Sequence, residues 1–154
     1  MNKNQVGFTV VELVILIAIL GILAMIAIPQ YISLGKEARI AVVKGTGGSL
    51  NSAIALVLAK YNASGYMGSS VTTVNIGLAN DIAVAVSPGT GIPNANTNGV
   101  GKLLANASGV TVAYDSSGLT ASFYPPGNPP FGGVNCRVWY DGMSASVMVL
   151  TGNC

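Results

Sequence analysis

Apolar side chains dominate the run from Phe8 to Ile28, within GFTVVELVILIAILGILAMIAIPQY, and Glu12 is its only charge. As a helix this run spans roughly 31 Å, the thickness of a bilayer's hydrocarbon core, and predicts one membrane crossing. Beyond it the pattern changes to an amphipathic period. Val43, Gly47, Leu50, Ile54, Val57 and Tyr61 recur at steps of three and four, a stripe suited to packing on a sheet. The two patterns join into one helix predicted from about Phe8 to about Tyr61. Pro29 cannot donate an i→i−4 bond and predicts a kink, while Gly21 lowers helix propensity by ~1 kcal/mol relative to Ala. Gly45, Gly47 and Gly48 predict a bend or interruption in the second half.

After Tyr61 the chain alternates between turn-rich stretches, such as NASGYMGSS and SPGTGIPNANTNGVG, and short segments of β-branched or alternating apolar residues. Strands are predicted at Val71 to Ile76, Ile82 to Val86, Val110 to Tyr114 and Leu119 to Tyr124. The Pro125 to Gly133 stretch, PPGNPPFGG, reads as a rigid surface loop. VNCRVWY and MSASVMVLT flank Asp141-Gly142 and predict a hairpin. With those two residues at the turn centre, Cys136 faces Val147, and Cys154 lies seven residues further on, ~23 Å away. A disulfide allows about 6 Å between α-carbons. Either the tail TGNC folds back, with Gly152 and Asn153 making the reversal, or the turn lies elsewhere; the first is the expectation.

Composition narrows the chemistry. Of 154 residues only 8% are charged and 6% aromatic, and the net charge is +2 with no basic block, which argues against nucleic acid as a partner. The chain has no His, the commonest acid–base residue and zinc ligand. Its five acids, Glu12, Glu37, Asp81, Asp115 and Asp141, are scattered and form no calcium-loop motif. Gly99 to Lys102, GVGK, fails the phosphate-loop pattern at Asn96 and Leu103. No enzyme activity, cofactor or metal site is expected. Asn62-Ala63-Ser64 and Asn106-Ala107-Ser108 match glycosylation sequons, and no modification is assigned to them.

Cys136 and Cys154 are the only cysteines. An even count beyond a membrane-targeting start favours a disulfide over two core thiols, and a residue so near the end is hard to bury as a thiol. Glu12 is the harder feature. An ionised carboxylate in hydrocarbon costs at least ~2.5 kcal/mol and calls for a partner charge or a role. No small-x-small cleavage site follows the apolar core, so an ordinary secretory signal does not account for the sequence. A plain anchor leaves Glu12 unexplained.

The stretch Gly7-Phe8-Thr9-Val10-Val11-Glu12 resembles the type IV prepilin signal, in which a short hydrophilic leader ends in Gly and the mature chain begins with Phe. The resemblance implies cleavage between Gly7 and Phe8 by a dedicated prepilin peptidase on the cytoplasmic side, and N-methylation of Phe8. It implies an α+β fold: a leader, 1–7; a transmembrane and filament-core helix, 8–29; an amphipathic continuation, 30–61; and a β-rich head, 62–154, whose antiparallel sheet packs on the helix. The Cys136–Cys154 loop resembles the disulfide-bounded carboxyl region of type IVa pilins. Gly21 and Pro29 match the positions that bracket a locally unwound stretch in assembled filaments of that family. VVKGTGGSLNSAIALVLAK and the closing GNC are similar to mannose-sensitive haemagglutinin pilins.

By that resemblance the chain is a structural subunit of a type IV pilus serving adhesion and motility. It rests in the inner membrane with its head in the periplasm, then joins a homo-oligomeric helical filament outside the cell. Glu12 pairs there with the Phe8 amine of the next copy and sets register, since each charge is expensive in hydrocarbon unless both are paired. The implied partners are an assembly platform, minor pilins, and a host or abiotic surface. Its rivals are a minor pilin, a type II secretion pseudopilin, and a pilin-like DNA or carbohydrate receptor using Trp139, Tyr140 or the glycine-rich loop. One feature opposes the topology: Lys36, Arg39 and Lys44 follow the apolar run while Lys3 and the initial amine precede it, a bias toward a cytoplasmic head. Long domains cross membranes against such a bias, and the disulfide favours the oxidising side.

Overall fold

The computed structural model describes residues 7–77, 82–104, 109–127 and 135–154, with backbone alone for 29–33. The leader residues before Gly7, Asp81, the sequon at Asn106 and most of the PPGNPPFGG loop lie outside the described residues. The chain divides into two units, Met1–Glu37 and Ala38–Cys154.

One helix, α1, runs from Val10 to Ala63. It continues through Gly21, Pro29 and the Gly45–Gly48 cluster, so the glycines do not interrupt it. Its end is set by local chemistry. Gly65 adopts φ +72°, its N–H bonds the Asn62 carbonyl at 3.0 Å, and the Tyr66 N–H bonds the Tyr61 carbonyl at 3.3 Å. This is the paired closure that a left-handed residue makes just past a helix, and it satisfies carbonyls that the helix leaves open.

The second unit is α+β. A two-stranded antiparallel sheet joins β1 (Thr73–Asn75) to β2 (Ala83–Ala85). After a single helical turn, α2 (Val100–Leu103), come β3 (Thr111–Tyr114), β4 (Thr120–Tyr124), β5 (Cys136–Asp141) and β6 (Ser146–Thr151). These four form one antiparallel sheet in sequence order. Each predicted strand is present, trimmed at its ends. The GVGK stretch forms α2, with Val100 in the core and Lys102 donating its ammonium to the Ala83 carbonyl at 2.9 Å.

All six stripe residues of α1 are buried. They serve two cores. Val43, Leu50 and Ile54 pack with Phe123, Cys136, Val138 and Tyr140 of the four-stranded sheet. Val57 and Tyr61 pack with Val74, Val84 and Val86 of the two-stranded one. The Tyr140 hydroxyl, buried in the first core, donates to the Pro93 carbonyl at 2.6 Å. Desolvation, and then the negative charge of Asp141, push its pKa well above the ordinary tyrosine value, so it stays a neutral donor.

At Gly47 the sheet packs tightly on the helix: a Cβ built there would lie 2.5 Å from Val149 Cγ2 and 3.6 Å from Val138 Cγ2. Its neighbours Gly45 and Gly48 face open space.

The hairpin corrects the sequence expectation. Cys136 pairs with Thr151 and Asp141 with Ser146, so the turn is Gly142 to Ala145 and the register is slipped four residues from Cys136–Val147. Asp141 is the last residue of its strand rather than part of the turn centre. Its carboxylate accepts from the Met143 N–H at 2.9 Å and the Ser144 hydroxyl at 2.7 Å, a side-chain-closed turn. The Gly142 N–H is engaged by the Leu119 carbonyl of the neighbouring connection at 2.8 Å. An even slip keeps the same side chains on the core face, so the hydrophobic pattern alone does not choose between the registers.

Two predictions follow from these contacts. Gly47→Ala should destabilise the full-length chain in detergent by about 1–3 kcal/mol through overpacking. Gly45→Ala and Gly48→Ala should stabilise it by about 0.5–1 kcal/mol each through helix entropy, and thermal melts compare the signs. Second, the hydrogen bonds to Met143 and Ser144 hold the Asp141 carboxyl below the usual aspartate range. A depressed folded-state pKa contributes stability above the unfolded pKa of about 3.9 and loses it as pH falls through the lower folded value. Asp141→Asn should flatten that part of the acid-side fall in melting temperature.

Candidate functional site

The apolar first half of α1 is uncovered among the described residues. From Val10 to Ile28 the mean hydropathy is 3.0, and no part of this segment is buried. Phe8 is 75% exposed and Met25 82%. A helix that is hydrophobic on every side is stable only inside lipid or among other helices. The second stretch long enough to cross a membrane, Leu34–Ala63, has mean hydropathy 1.3 and carries the buried core stripe.

Glu12 sits in the first turn of this segment, and the structure assigns it a local partner that the sequence reading passed over. Glu12 Oε2 accepts from the Thr9 N–H at 3.0 Å and from the Thr9 hydroxyl at 2.9 Å, while the Glu12 N–H donates to Thr9 Oγ1 at 3.3 Å. Thr9 and Glu12 therefore form a reciprocal capping box at the start of α1. The T-x-x-E spacing ahead of an apolar run was its visible signal. The charge thus has donors at the one place in an apolar helix where backbone N–H groups are unpaired.

Gly7 is exposed, and a Cβ built there meets nothing within 4 Å, so the backbone before Phe8 is sterically open. Gly21 likewise faces open space, and the helix passes through it and Pro29.

At the far end of the chain, Cys136 and Cys154 form a disulfide with α-carbons 4.9 Å apart. Gly152 and Asn153 make the reversal, as expected, but the turn carries Cys154 only three residues past Thr151, because the hairpin register had already shortened the gap. The Asn153 N–H reaches the Asn135 carbonyl at 3.4 Å. From α1, Arg39 Nε donates to the Cys154 carbonyl at 2.8 Å, tying the tail to the helix. Trp139 is half-buried on the sheet face away from the core, whereas Tyr140 belongs to the core.

Comparison with known proteins gives a consistent set of relatives. The chain is 35% identical over 96 residues to a type IV major fimbrial protein FimA of Dichelobacter nodosus, covering 59% of this chain and 62% of that one. It is 44% identical over 50 residues to the type IV narrow pilus major component PilA5 of Thermus thermophilus, covering 32% of this chain and 43% of that one. It is 41% identical over 44 residues to the type II secretion system core protein G of Pseudomonas aeruginosa, covering 29% and 31%. The chain thus spans less than two thirds of the length of these relatives. No family model and no solved structure matches it.

The disulfide closes a loop of 18 residue steps, worth on the order of 3 kcal/mol in the chain-entropy model. Cys136→Ser with Cys154→Ser should lower the melting temperature of the full-length protein, and a reductant should do the same to the wild type. An unchanged melt in both would show that the loop contributes no stability.

Proposed function

From its likeness to type IV pilins we infer that the chain is a structural subunit of a surface filament. The observation that carries this reading is the wholly exposed apolar helix with a single carboxylate at its cap. Cleavage between Gly7 and Phe8 leaves the Thr9 N–H in its peptide bond, so the cap survives processing. It also creates an amine at Phe8, which N-methylation leaves cationic. Glu12 Oε2 holds both Thr9 donors, and its second oxygen accepts from the Phe8 amine of a neighbouring copy. Paired charges at one depth lower the cost of burying each, and only one register pairs them. Helices of residues 8–29 then form the core of a homo-oligomeric filament, and Gly21 and Pro29 mark the segment that unwinds on assembly.

Before assembly the subunit is held in the inner membrane with its head on the oxidising side, which the disulfide supports. A prepilin peptidase, an assembly platform and minor pilins are its proposed partners, and attachment to surfaces is its proposed task. The chain acts by assembly rather than catalysis. The segment from Val42 to Lys60 and the closing GNC support a mannose-sensitive haemagglutinin type. A secretion pseudopilin is the second reading, favoured by the likeness to core protein G. The disulfide loop favours the pilus subunit, because the resemblance to pilins includes that loop.

Glu12→Ala should leave membrane insertion and cleavage intact and abolish or sharply reduce filaments. Thr9→Ala, which removes the cap at about 1 kcal/mol but keeps the charge, should assemble far better. Electron microscopy of sheared fibres and their intact mass read both, the mass reporting loss of residues 1–7 and one methyl group. Normal filament yield from Glu12→Ala, or equal loss in the two variants, would refute the register role.

A further inference from the structure

The outer face of the four-stranded sheet carries a groove of about 200 Å³. Strand alternation builds it. Ala113, Ser122 and Trp139 stand in one row across β3, β4 and β5, and the two small residues form a floor beside the indole. Thr120 and Asp115 lie at one end, Tyr124 and Arg137 at the other. Its volume is below the range of drug-sized sites and suits one small ring.

Arg137 is the informative side chain. Its Nη1 donates to the Tyr124 hydroxyl at 3.1 Å, while its Nε is withdrawn from water and has no acceptor. Among the described residues no carboxylate pairs with it. Leaving such a donor unmade is costly, more so on a charged group. Nε is closed to a ligand, so it is the terminal nitrogens of the guanidinium, at the end of the groove that Arg137 lines, that can take a carboxylate through a charge-assisted bond. At the opposite end Asp115 accepts from the Ser116 N–H at 2.8 Å and from the Ser117 hydroxyl. One cation and one anion at opposite ends match a singly charged ligand and oppose a doubly charged phosphate. Between them lie an aromatic face and the hydroxyls of Thr120 and Ser122, partners for a ring with one apolar face and several hydroxyl groups. An acidic amino-acid side chain would leave those hydroxyls unused.

We propose that this groove binds a single carboxylated sugar residue of an acidic glycan, its carboxylate on Arg137, its apolar face on Trp139 and its hydroxyls toward Ser122, Thr120 and Asp115. The site lies on the head and is independent of the filament reading. Trp139 is the chain's only tryptophan, so its fluorescence reports the groove alone.

The test is a titration of the full-length chain in detergent with methyl glucuronide, read by that fluorescence. A saturable change is expected, with methyl glucoside, inorganic phosphate and N-acetylglutamate each at least ten-fold weaker. Arg137→Gln should weaken uronate binding at least ten-fold. Ser122→Val, which fills the floor without removing Arg137, should abolish it and serves if Arg137→Gln does not fold by circular dichroism. No saturable uronate response overturns the proposal, as does phosphate or N-acetylglutamate binding equally well. Fluorescence that changes on dilution without sugar also overturns it, in favour of a second copy filling the groove.

Discussion

An apolar helical segment with no cover among the described residues is the constraint on which the rest of this molecule depends. No part of the Val10 to Ile28 segment is buried, and a helix apolar on every side is stable only in lipid or among other helices. Every polar group in that segment is therefore under pressure to be satisfied locally. The Thr9–Glu12 box meets that demand at the helix start, using the N–H groups that a helix always leaves unpaired. Glu12 is thereby held in a defined position, as the pairing proposed for it with a neighbour's amine requires.

The head meets the opposite demand. Its helix half gives up its apolar stripe to the sheets, with Val, Gly, Leu and Ile along most of the stripe and Tyr61 at its end. Gly47 admits Val149 and Val138 to the helix surface, and Tyr61 supplies much of the bulk of the second core. Two fasteners close the arrangement at the carboxyl end: the disulfide, and the hydrogen bond from Arg39 to the Cys154 carbonyl. Both act on the tail that follows the last strand, a segment that would otherwise fray. The outer sheet face is left free of these duties, and there the chain has placed its one tryptophan beside an arginine with no carboxylate partner among the described residues.

The likeness to type IV pilins covers part of each relative. It extends to both pilus subunits and a secretion component. The disulfide loop and the sheet groove both belong to the head of this chain.

Local and periodic features were legible from the residues alone. The apolar run, the stripe from Val43 to Tyr61, the strands and the paired cysteines each depend on near neighbours in sequence or on a repeat of 2 or 3.6 residues. The Thr9–Glu12 cap was equally local. Its spacing was visible, yet Glu12 was read only for its cost in the membrane. The hairpin register belonged to tertiary structure: two registers four residues apart bury the same faces, and the choice fell to the Asp141 carboxylate and to a Leu119 carbonyl brought in from another strand connection. The division of one helical stripe between two sheets, and the meeting of Arg137, Trp139 and Asp115 across three strands, were likewise decided there. Such groupings depend on which distant segments pair, and no period along the chain encodes that.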